Sequence, residues 1–360
     1  MLKAATMSFR EVEQRSSPSV VIAGHWRWDI YEEALASGFR ANGWQVIPFK
    51  LDESLVPGPT SGLLLRLKMG PAVRKMNRDL IHAVEIHSPS AVLFYATDLI
   101  FPSTLDRIKS ASTGTVVLLY HNDNPFAGLR NRVKWRHYLG AVPKADAVLV
   151  YRPVNLDDAR RHGAKRVALL PPHYLTYRHR PVALDPGHEP DDLIFIGHYE
   201  DDGRVELLDY LVRNGIRVSV YGPTWGRPAA RYPWIDPANV RQVPGEEYSR
   251  LLSSARMALA LLSSSNRDVW TRRCFEIPAC RVLMLAPRTK ALETLFTDGR
   301  EVVFFDSRDD LLLKIRHYLA NDSERERIAE AGWKRCVDGE HHEIGRARLV
   351  ARIIEEAATQ

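Results

Sequence analysis

The sequence contains few cysteines and no long apolar run. Three cysteines, Cys274, Cys280 and Cys336, occur among 360 residues, and their number and spacing argue against a disulfide framework and a thiolate zinc site. No stretch approaches the roughly 20 apolar residues that span a bilayer. The first 19 residues hold no apolar run of the kind that a secretory signal contains. We therefore expect buried free thiols in a cytoplasmic protein.

Charge of one sign is not in large excess either. The chain carries 50 Lys and Arg against 44 Asp and Glu, a formal net charge of +6. Such modest basicity attracts polyanions in general, whether nucleic acid, anionic lipid or a phosphorylated substrate. A nucleic-acid binder should show a basic stripe with stacking aromatics, whereas the basic residues here are spread over both halves. Nucleic acid is therefore not an expected partner.

Short apolar runs alternate with amphipathic stretches along the whole chain, which predicts open parallel sheets with helices on both faces. The length suggests two domains of about 150 residues each, and a stretch rich in Pro, His and Tyr, Pro171–Pro190, reads as the linker between them. We predict a first domain over 1–175 and a second over 176–342. The final helix, 343–360, is expected to pack back on the first domain.

The boundaries of the elements follow from the apolar periodicity. The predicted strands are Ser19–Ala23, Gln45–Phe49, Ala91–Tyr95, Val116–Tyr120, Ala147–Val150, Val167–Leu170, Leu193–Ile196, Arg217–Tyr221, Val240–Gln242, Met257–Leu262, Val282–Ala286 and Val302–Phe305. The predicted helices include Asp29–Asn42, Leu64–Ser88, Leu105–Ser110, Val205–Asn214, Glu246–Ser254, Trp270–Ala279 and Glu343–Ala357. Ligands of open α/β sheets bind beyond the carboxyl ends of the strands. The loops after Ala23, Tyr95, Tyr120, Ile196, Tyr221 and Leu262 are therefore expected to border the cleft.

The segment from Asn266 to Cys280 carries the strongest functional signal. It follows a predicted buried strand and opens a helix, so its first N–H groups can face an anion. Thr271 and Arg273 lie near that start, where a hydroxyl and a guanidinium could hold a diphosphate. Asp268 and Glu276 are separated by seven residues, so both carboxylates can address one extended ligand.

Glu276 has two interpretations. It lies in an otherwise apolar stretch, and a buried carboxylate needs a partner. A ribose diol offers two donors for one carboxylate. Alternatively, Arg272 or Arg273 pairs with Glu276 in a purely structural ion pair, which produces the same pattern.

Several motifs resemble those of a known family. The run Thr271-x-Arg273-x-Phe275-Glu276-Ile277-Pro278-Ala279-Cys280 is similar to the signature of CgeB-like (spore-maturation type) glycosyltransferases, within the group-1 glycosyltransferases of GT-B fold. The resemblance extends to Ile194–Gly197, Val220–Trp225, Val243–Tyr248, Leu295–Phe305 and Ala331–Trp333. In the first half it rests on His121–Phe126 and is weaker.

The resemblance implies a GT-B fold, in which two Rossmann-like doubly wound domains face a central cleft. The first domain would be the acceptor side and the second would bind a nucleoside-diphosphate sugar, by default a UDP-sugar, as co-substrate. The implied reaction is transfer of the sugar with retention, without a metal or other cofactor. Nothing in the sequence suggests a metal site, since the pair His341-His342 lacks the spacing of ligand sets.

The resemblance also assigns roles to residues. It places Glu276 at the ribose and Asp268, where the family has Glu, by the donor sugar. The donor-binding residues that it implies are Gly197, His198, Arg204, Tyr221, Gly222, Thr271, Arg273 and Glu276. The catalytic candidates are His121, Asp123 and Asp268.

The first half supplies the remaining candidates. His121 follows a predicted strand and would lie near the reacting sugar, and Asp123 is a rival as the base that takes the acceptor proton. The alternative is that Asp123-Asn124-Pro125 is turn chemistry, since Asp and Asn bond their own backbone there. Gly24 and His25, after the first strand, are expected on the acceptor side of the cleft.

Two basic stretches bear on the acceptor, which the sequence leaves open among a glycan, a lipid-linked molecule and a protein. They are Arg66–Arg78 and Arg130–His137, each punctuated by apolar residues. A basic amphipathic helix can lie on an anionic leaflet, which would make the protein peripheral at the inner face of the membrane. It can equally be a solvated face whose long side chains cover apolar surface.

Two other functions fit the same fold. A nucleotide-sugar epimerase would convert the donor without an acceptor and needs acid/base carboxylates on both domains. A non-catalytic protein would bind a nucleotide-sugar or a polyanion and transfer nothing.

Overall fold

The computed structural model describes residues 17–55, 64, 67–127, 134–184, 187, 189–264 and 267–359. Within them lie two sheets, of six and five strands. Every strand pair is parallel. The predicted α/β class with two doubly wound sheets is confirmed.

The strands are short and mostly buried, as expected of apolar runs that helices cover on both faces. In chain order they are β1 (Ser19–Gly24), β2 (Gln45–Lys50), β3 (Ala91–Tyr95), β4 (Val116–His121), β5 (Ala147–Val150), β6 (Val167–Leu169), β7 (Asp191–Ile196), β8 (Val218–Tyr221), β9 (Ala255–Leu259), β10 (Leu283–Pro287) and β11 (Val303–Phe305). Their spatial orders are β2-β1-β3-β4-β5-β6 and β11-β10-β9-β7-β8.

The α-helices of more than one turn are Ala34–Ala41, Pro71–His87, Pro102–Ala111, Arg136–Ala141, Val154–Arg161, Arg204–Arg213, Gly245–Ser253, Arg273–Ala279, Arg308–Ala320, Asp322–Asp338 and Glu343–Ala358. Single turns form at Leu51–Ser54, Gly226–Ala229 and Lys290–Glu293. Asp29–Glu33 is a π-helix, and Val142–Lys144 and Pro237–Asn239 are 3-10 helices. Among the described residues no helix is long and apolar enough to cross a bilayer.

Three predicted boundaries are corrected. Val240–Gln242 is not a strand, because Arg241 N–H turns back to the Asn239 carbonyl at 2.9 Å after the 3-10 helix. The helix predicted from Trp270 begins only at Arg273. The helix predicted over Leu64–Ser88 begins at Pro71, which suits the first helical position because proline has no N–H to satisfy there. Residues 65 and 66 lie outside the described residues.

The last helix contributes to the core of the first half. Ala347, Val350 and Ile354 share a buried cluster with Ile22 and Phe39. The approach is close at Gly38, where a Cβ would lie 2.3 Å from the Glu343 carbonyl oxygen. The chain thus returns to the first sheet after completing the second.

The chain passes between the two sheets twice, near Tyr174 and again near His341, and these two segments lie side by side. Tyr174 N–H donates to the His341 carbonyl at 3.1 Å, and Glu343 N–H donates to the Tyr174 carbonyl at 3.2 Å. The Glu343 carboxylate in turn accepts from Thr176 N–H at 3.0 Å. These bonds fix the relative direction of the two sheets next to the cleft.

Candidate functional site

A cavity of about 500 Å³ separates the carboxyl ends of the two sheets. From the first half, residues that follow β1, β4 and β5 line it together with Tyr95, the last residue of β3, and residues that follow β7, β8 and β9 line it from the second half. This is the edge at which open α/β sheets bind ligands.

On the second-half side, two glycines, Gly197 and Gly222, line the cavity. Gly222 has φ +142°, and a Cβ there would lie 2.2 Å from the Gly197 carbonyl oxygen. A Cβ on Gly197 would lie 3.1 Å from the Arg273 guanidinium carbon. Trp225 Nε1–H donates to the Gly197 carbonyl at 2.7 Å and holds the turn. Both glycines are therefore needed for close approach of the two loops and of the guanidinium.

Arg273 forms no direct ion pair with a carboxylate of the described residues, although the charge of Arg273 acts on Glu276 and Asp268 from a distance. Its guanidinium lies 5.6 Å from the Phe195 ring centre and lines the cavity. Its buried Nε has no hydrogen-bond partner. Because a buried donor without a partner is costly, this guanidinium is suited to an anionic ligand.

Glu276 lies three residues further along, and each of its carboxylate oxygens accepts one hydrogen bond from a side chain. Its Oε1 accepts from Arg272 Nε at 2.9 Å and its Oε2 from the Tyr248 hydroxyl at 2.8 Å. Burial alone would raise the pKa of this carboxyl, but His179, Arg272 and Tyr248 outweigh burial and lower its pKa. The structural ion pair with Arg272 therefore exists. It does not exclude a ligand, since a carboxylate can accept about four hydrogen bonds.

Arg272 also connects the two halves. Its Nη1 donates to the Ile30 carbonyl at 2.8 Å, while its buried Nη2 has no partner. Its guanidinium lies 5.9 Å from the Tyr31 ring centre. Arg272 thus links Glu276 to the first half, while its Nη2 donor has no partner among the described residues.

Asp268 forms a second connection between the halves. Its Oδ1 accepts from Arg152 Nε at 2.8 Å and Nη2 at 2.5 Å, and Arg152 Nη1 donates to the Asn122 carbonyl at 2.8 Å. Oδ2 accepts no hydrogen bond from a described residue. Burial raises the pKa of Asp268 although Arg152 opposes the shift. Sequence reasoning missed Arg152; its position directly after a buried strand was the available signal.

The other donor-side candidates divide. His198 and Thr271 line the cavity, and burial lowers the pKa of His198. Tyr221 contributes its carbonyl to Gly197 N–H at 2.9 Å but is not among the lining residues. Arg204 is buried behind the loop, where Asp202 and the His198 carbonyl bind its guanidinium.

The first-half candidates divide as well. Asp123 lines the cavity. His121 lies behind it, packed edge-on against Trp135 at 4.5 Å between ring centres, and its Nδ1 accepts from Asp123 N–H at 2.9 Å. Burial lowers the pKa of His121 to about 3, so the ring is neutral. It orients the Asp123 backbone and does not reach the cavity wall.

Gly24 and His25 are not brought to the cavity. A Cβ on Gly24 would lie 2.4 Å from Glu32 Oε1, so Glu32 fills the space beside it. His25 Nδ1 contacts Asp52 Oδ1 at 2.9 Å, beyond the carboxyl ends of β1 and β2, and His25 does not line the cavity. Their acceptor-side role stays a prediction without a cavity contact.

No group of three or more His, Cys, Asp or Glu side chains that could hold a metal occurs in the part of the chain that the structure describes. The three cysteines are free and buried.

Comparison with known proteins agrees with this geometry. Residues 204–351 match the family model described as "Glycosyl transferase-like". The whole chain is similar in structure to sucrose-phosphate synthase from Thermosynechococcus elongatus, with a TM-score of 0.65 and 12% identity over 94% of this chain and 98% of that one. The chain has the GT-B fold. No curated protein is significantly similar to it in sequence.

Two further solved structures are similar over nearly the full length. Anabaena Alr3699/HepE in complex with UDP-glucose has a TM-score of 0.63 and 10% identity, over 94% of this chain and 99% of that one. AviGT4, a glycosyltransferase involved in avilamycin A biosynthesis, has a TM-score of 0.59 and 15% identity, over 95% and 98% of the two chains. At these identities the likeness establishes the GT-B fold and not the substrates.

Proposed function

We propose that the protein is a glycosyltransferase of the CgeB-like type, which moves a sugar from a nucleoside-diphosphate sugar to a glycan, a lipid-linked molecule or a protein. The observation that carries this proposal is the Arg273 guanidinium, which is buried at Nε, has no direct carboxylate partner among the described residues and lines the cavity beside Gly197. The family match over 204–351 supports it. UDP is the default nucleotide, and the UDP-glucose bound to the similar Anabaena protein agrees with that choice.

In this proposal different residues bind the diphosphate, the ribose and the sugar of the donor. Arg273, Thr271, Gly197 and His198 receive the diphosphate, and Glu276 receives the ribose. Asp268, with Oδ2 uncommitted, lies by the donor sugar. Arg204 supports the phosphate-side loop from behind.

Departure of the nucleoside diphosphate requires stabilisation of the charge that develops on it. Preoriented cationic donors in a water-poor site supply this, and Arg273 would act here in place of a divalent cation. Asp123 is the candidate to take the proton of the acceptor hydroxyl. Retention of the anomeric configuration is the outcome that the family resemblance implies.

A thermal-shift panel of UDP-, GDP-, ADP- and TDP-sugars with EDTA present tests donor binding. We expect one nucleotide to raise the melting temperature of the wild type and to lose that effect in Glu276→Ala. Unchanged binding in the variant would overturn the ribose assignment. The anomer of the product, read by NMR, tests retention, and an inverted product would contradict it.

We also propose that the protein lies in the cytoplasm and contacts the inner face of the membrane through a groove in the first half. Arg74, Arg78 and Arg107 line it, and none of them is paired with a described residue, while Leu67 and Met69 nearby are exposed. Residue 66 of the first basic stretch and residues 130–133 of the second lie outside the described residues. We expect co-sedimentation with phosphatidylglycerol vesicles that Arg74→Gln/Arg78→Gln weakens. Equal sedimentation with phosphatidylcholine vesicles would contradict an electrostatic contact.

A further inference from the structure

Four tyrosines of the first half line the cavity opposite Arg273. They are Tyr31, Tyr95, Tyr120 and Tyr151, here called the tyrosine wall. Tyr95 and Tyr120 lie at the carboxyl ends of β3 and β4, with ring centres 5.0 Å apart, and Tyr31 is 6.4 Å from Tyr95. Three neighbouring strands of the sheet and the π-helix therefore place phenols on one surface.

The hydroxyls of the tyrosine wall have no hydrogen bond to any described residue. Buried tyrosine hydroxyls normally have a partner, as Tyr248 does with Glu276 at 2.8 Å. Burial raises the pKa of Tyr95 and Tyr120 above the usual value of 10.0, so these phenols stay uncharged. Because all four residues line the cavity, a ligand there can bond their hydroxyls.

A neutral imidazole faces the same space. His173 lines the cavity, and its buried Nε2 has no partner. Burial, and then the charge of Arg272, hold the pKa of His173 well below 6.5. The Arg272 Nη2 donor beside it is likewise unpartnered. Phenols and a neutral imidazole both donate and accept hydrogen bonds, which is the pattern of a sugar hydroxyl.

The cations on this side of the cavity are already offset. Arg152 binds Asp268, Arg178 binds Asp29, and Arg272 binds Glu276. Arg346 has no carboxylate partner among the described residues, but it donates to the Pro171 and Pro172 carbonyls and does not line the cavity. A phosphate group moved into this space from water would therefore meet only lining arginines that already have a carboxylate, and burial of an unpaired charge is strongly unfavourable. Hydroxyl groups carry no such cost.

We propose that the tyrosine wall binds an uncharged, polyhydroxylated acceptor, that is, a neutral sugar and not a phosphorylated one. This inference rests on the proposed function and names the acceptor class for the same cleft. It assigns the phosphate-binding chemistry to the second half alone.

Saturation-transfer NMR with the full chain and saturating UDP tests the proposal. The probes are methyl glycosides of glucose, galactose, mannose and N-acetylglucosamine, each beside the corresponding sugar 6-phosphate. We expect a neutral glycoside to bind to the wild type. In Tyr95→Phe/Tyr120→Phe its affinity should fall roughly five- to tenfold for each tyrosine hydroxyl removed. Tyr318→Phe, a buried tyrosine of the second-half core, is the matched control and should change nothing.

The outcomes distinguish an error in the acceptor class from an error in the proposed function. If the sugar phosphates bind better than the neutral glycosides, or the double variant binds the glycoside as well as the wild type, the acceptor class is wrong. The same holds if UDP binds and no neutral glycoside does. Absence of UDP binding would contradict the proposed function, and the acceptor class with it. UDP affinity of the double variant should equal that of the wild type, and the single variants Tyr95→Phe and His173→Asn replace it if it does not fold.

Discussion

The two walls of the cleft differ in chemistry and in how the chain builds them. The second-half wall presents a free guanidinium and two glycines, and its main residues lie within one short segment, Asp268–Glu276. The first-half wall presents phenols and an imidazole that come from separate elements of the chain, together with Asp123. Under the proposals above, a charged ligand group and a neutral one would bind to separate surfaces. The local wall is visible in the sequence, whereas the dispersed wall is not.

The largest expected effect comes from breaking the ion pair at the base of the second-half wall. Glu276→Ala leaves the buried Arg272 guanidinium without its carboxylate, and we expect the free energy of unfolding to fall by about 3–5 kcal/mol. Urea denaturation measures it. Arg272→Met/Glu276→Leu, which removes both charges, should recover most of the loss. A loss below about 1 kcal/mol in Glu276→Ala, as for a surface pair, would show that this pair is not a structural base for the wall.

A smaller loss is expected where the backbone of the same wall is tight. Gly222→Ala places a Cβ 2.2 Å from the Gly197 carbonyl oxygen at a positive φ, and we expect about 1–3 kcal/mol of destabilisation from the backbone strain alone. Gly226→Ala is the matched control, because a Cβ there has nothing within 4 Å. Equal melting temperatures of the two variants would contradict the close approach of the loops.

Arg152 connects the walls, and its removal should alter rate and pH dependence together. Arg152→Gln removes the charge that opposes burial at Asp268, so the pKa of Asp268 should rise and the acidic limb of the kcat profile should move to higher pH. Loss of a charge-assisted bond predicts roughly a tenfold decrease in kcat, with little change in KM for the donor. Arg178→Gln, which frees the more exposed Asp29, should leave the limb in place. An unmoved limb in Arg152→Gln would exclude Asp268 as the titrating group.

The smallest effect concerns the pH dependence of stability. The folded-state pKa of Glu276 lies below the usual value of 4.5, so its ionised form stabilises the fold fully above about pH 4.5. That contribution is lost as the pH falls through the folded-state pKa. Glu276→Gln should flatten this part of the acid-denaturation curve. A curve of unchanged slope would show that other carboxylates dominate there.

The fold could be predicted because its strands are apolar runs buried on both faces. Ala91–Tyr95 and Ala147–Val150 have the predicted bounds. The strand predicted over Val240–Gln242 does not form, because the segment has a single apolar residue and turns directly after the 3-10 helix. The predicted helix start at Trp270 was wrong, because the residues from Trp270 to Arg272 have the composition of a helical turn but do not form one.

The site could be predicted only where neighbours along the chain determine it. The segment Asp268–Glu276 lies on the cavity, but the sequence could not show which arginine pairs with Glu276. Arg204 was a candidate by the family resemblance, and its guanidinium is bound by Asp202 and the His198 carbonyl of its own loop, an arrangement of the loop that the sequence pattern did not show. The tyrosine wall gave no signal, because its members are distant in the chain and Tyr is ordinary at the ends of strands.

The central claim is that Arg273 binds the diphosphate of the donor, and titration calorimetry with UDP and with uridine tests it most directly. The wild type should bind UDP about 100-fold or more tightly than uridine, as two charge-assisted hydrogen bonds would provide. Arg273→Gln should lose most of this preference, while Arg281→Gln, whose guanidinium is paired with Glu330 outside the cavity, should keep it. An Arg273→Gln variant that prefers UDP over uridine as strongly as the wild type would contradict the account.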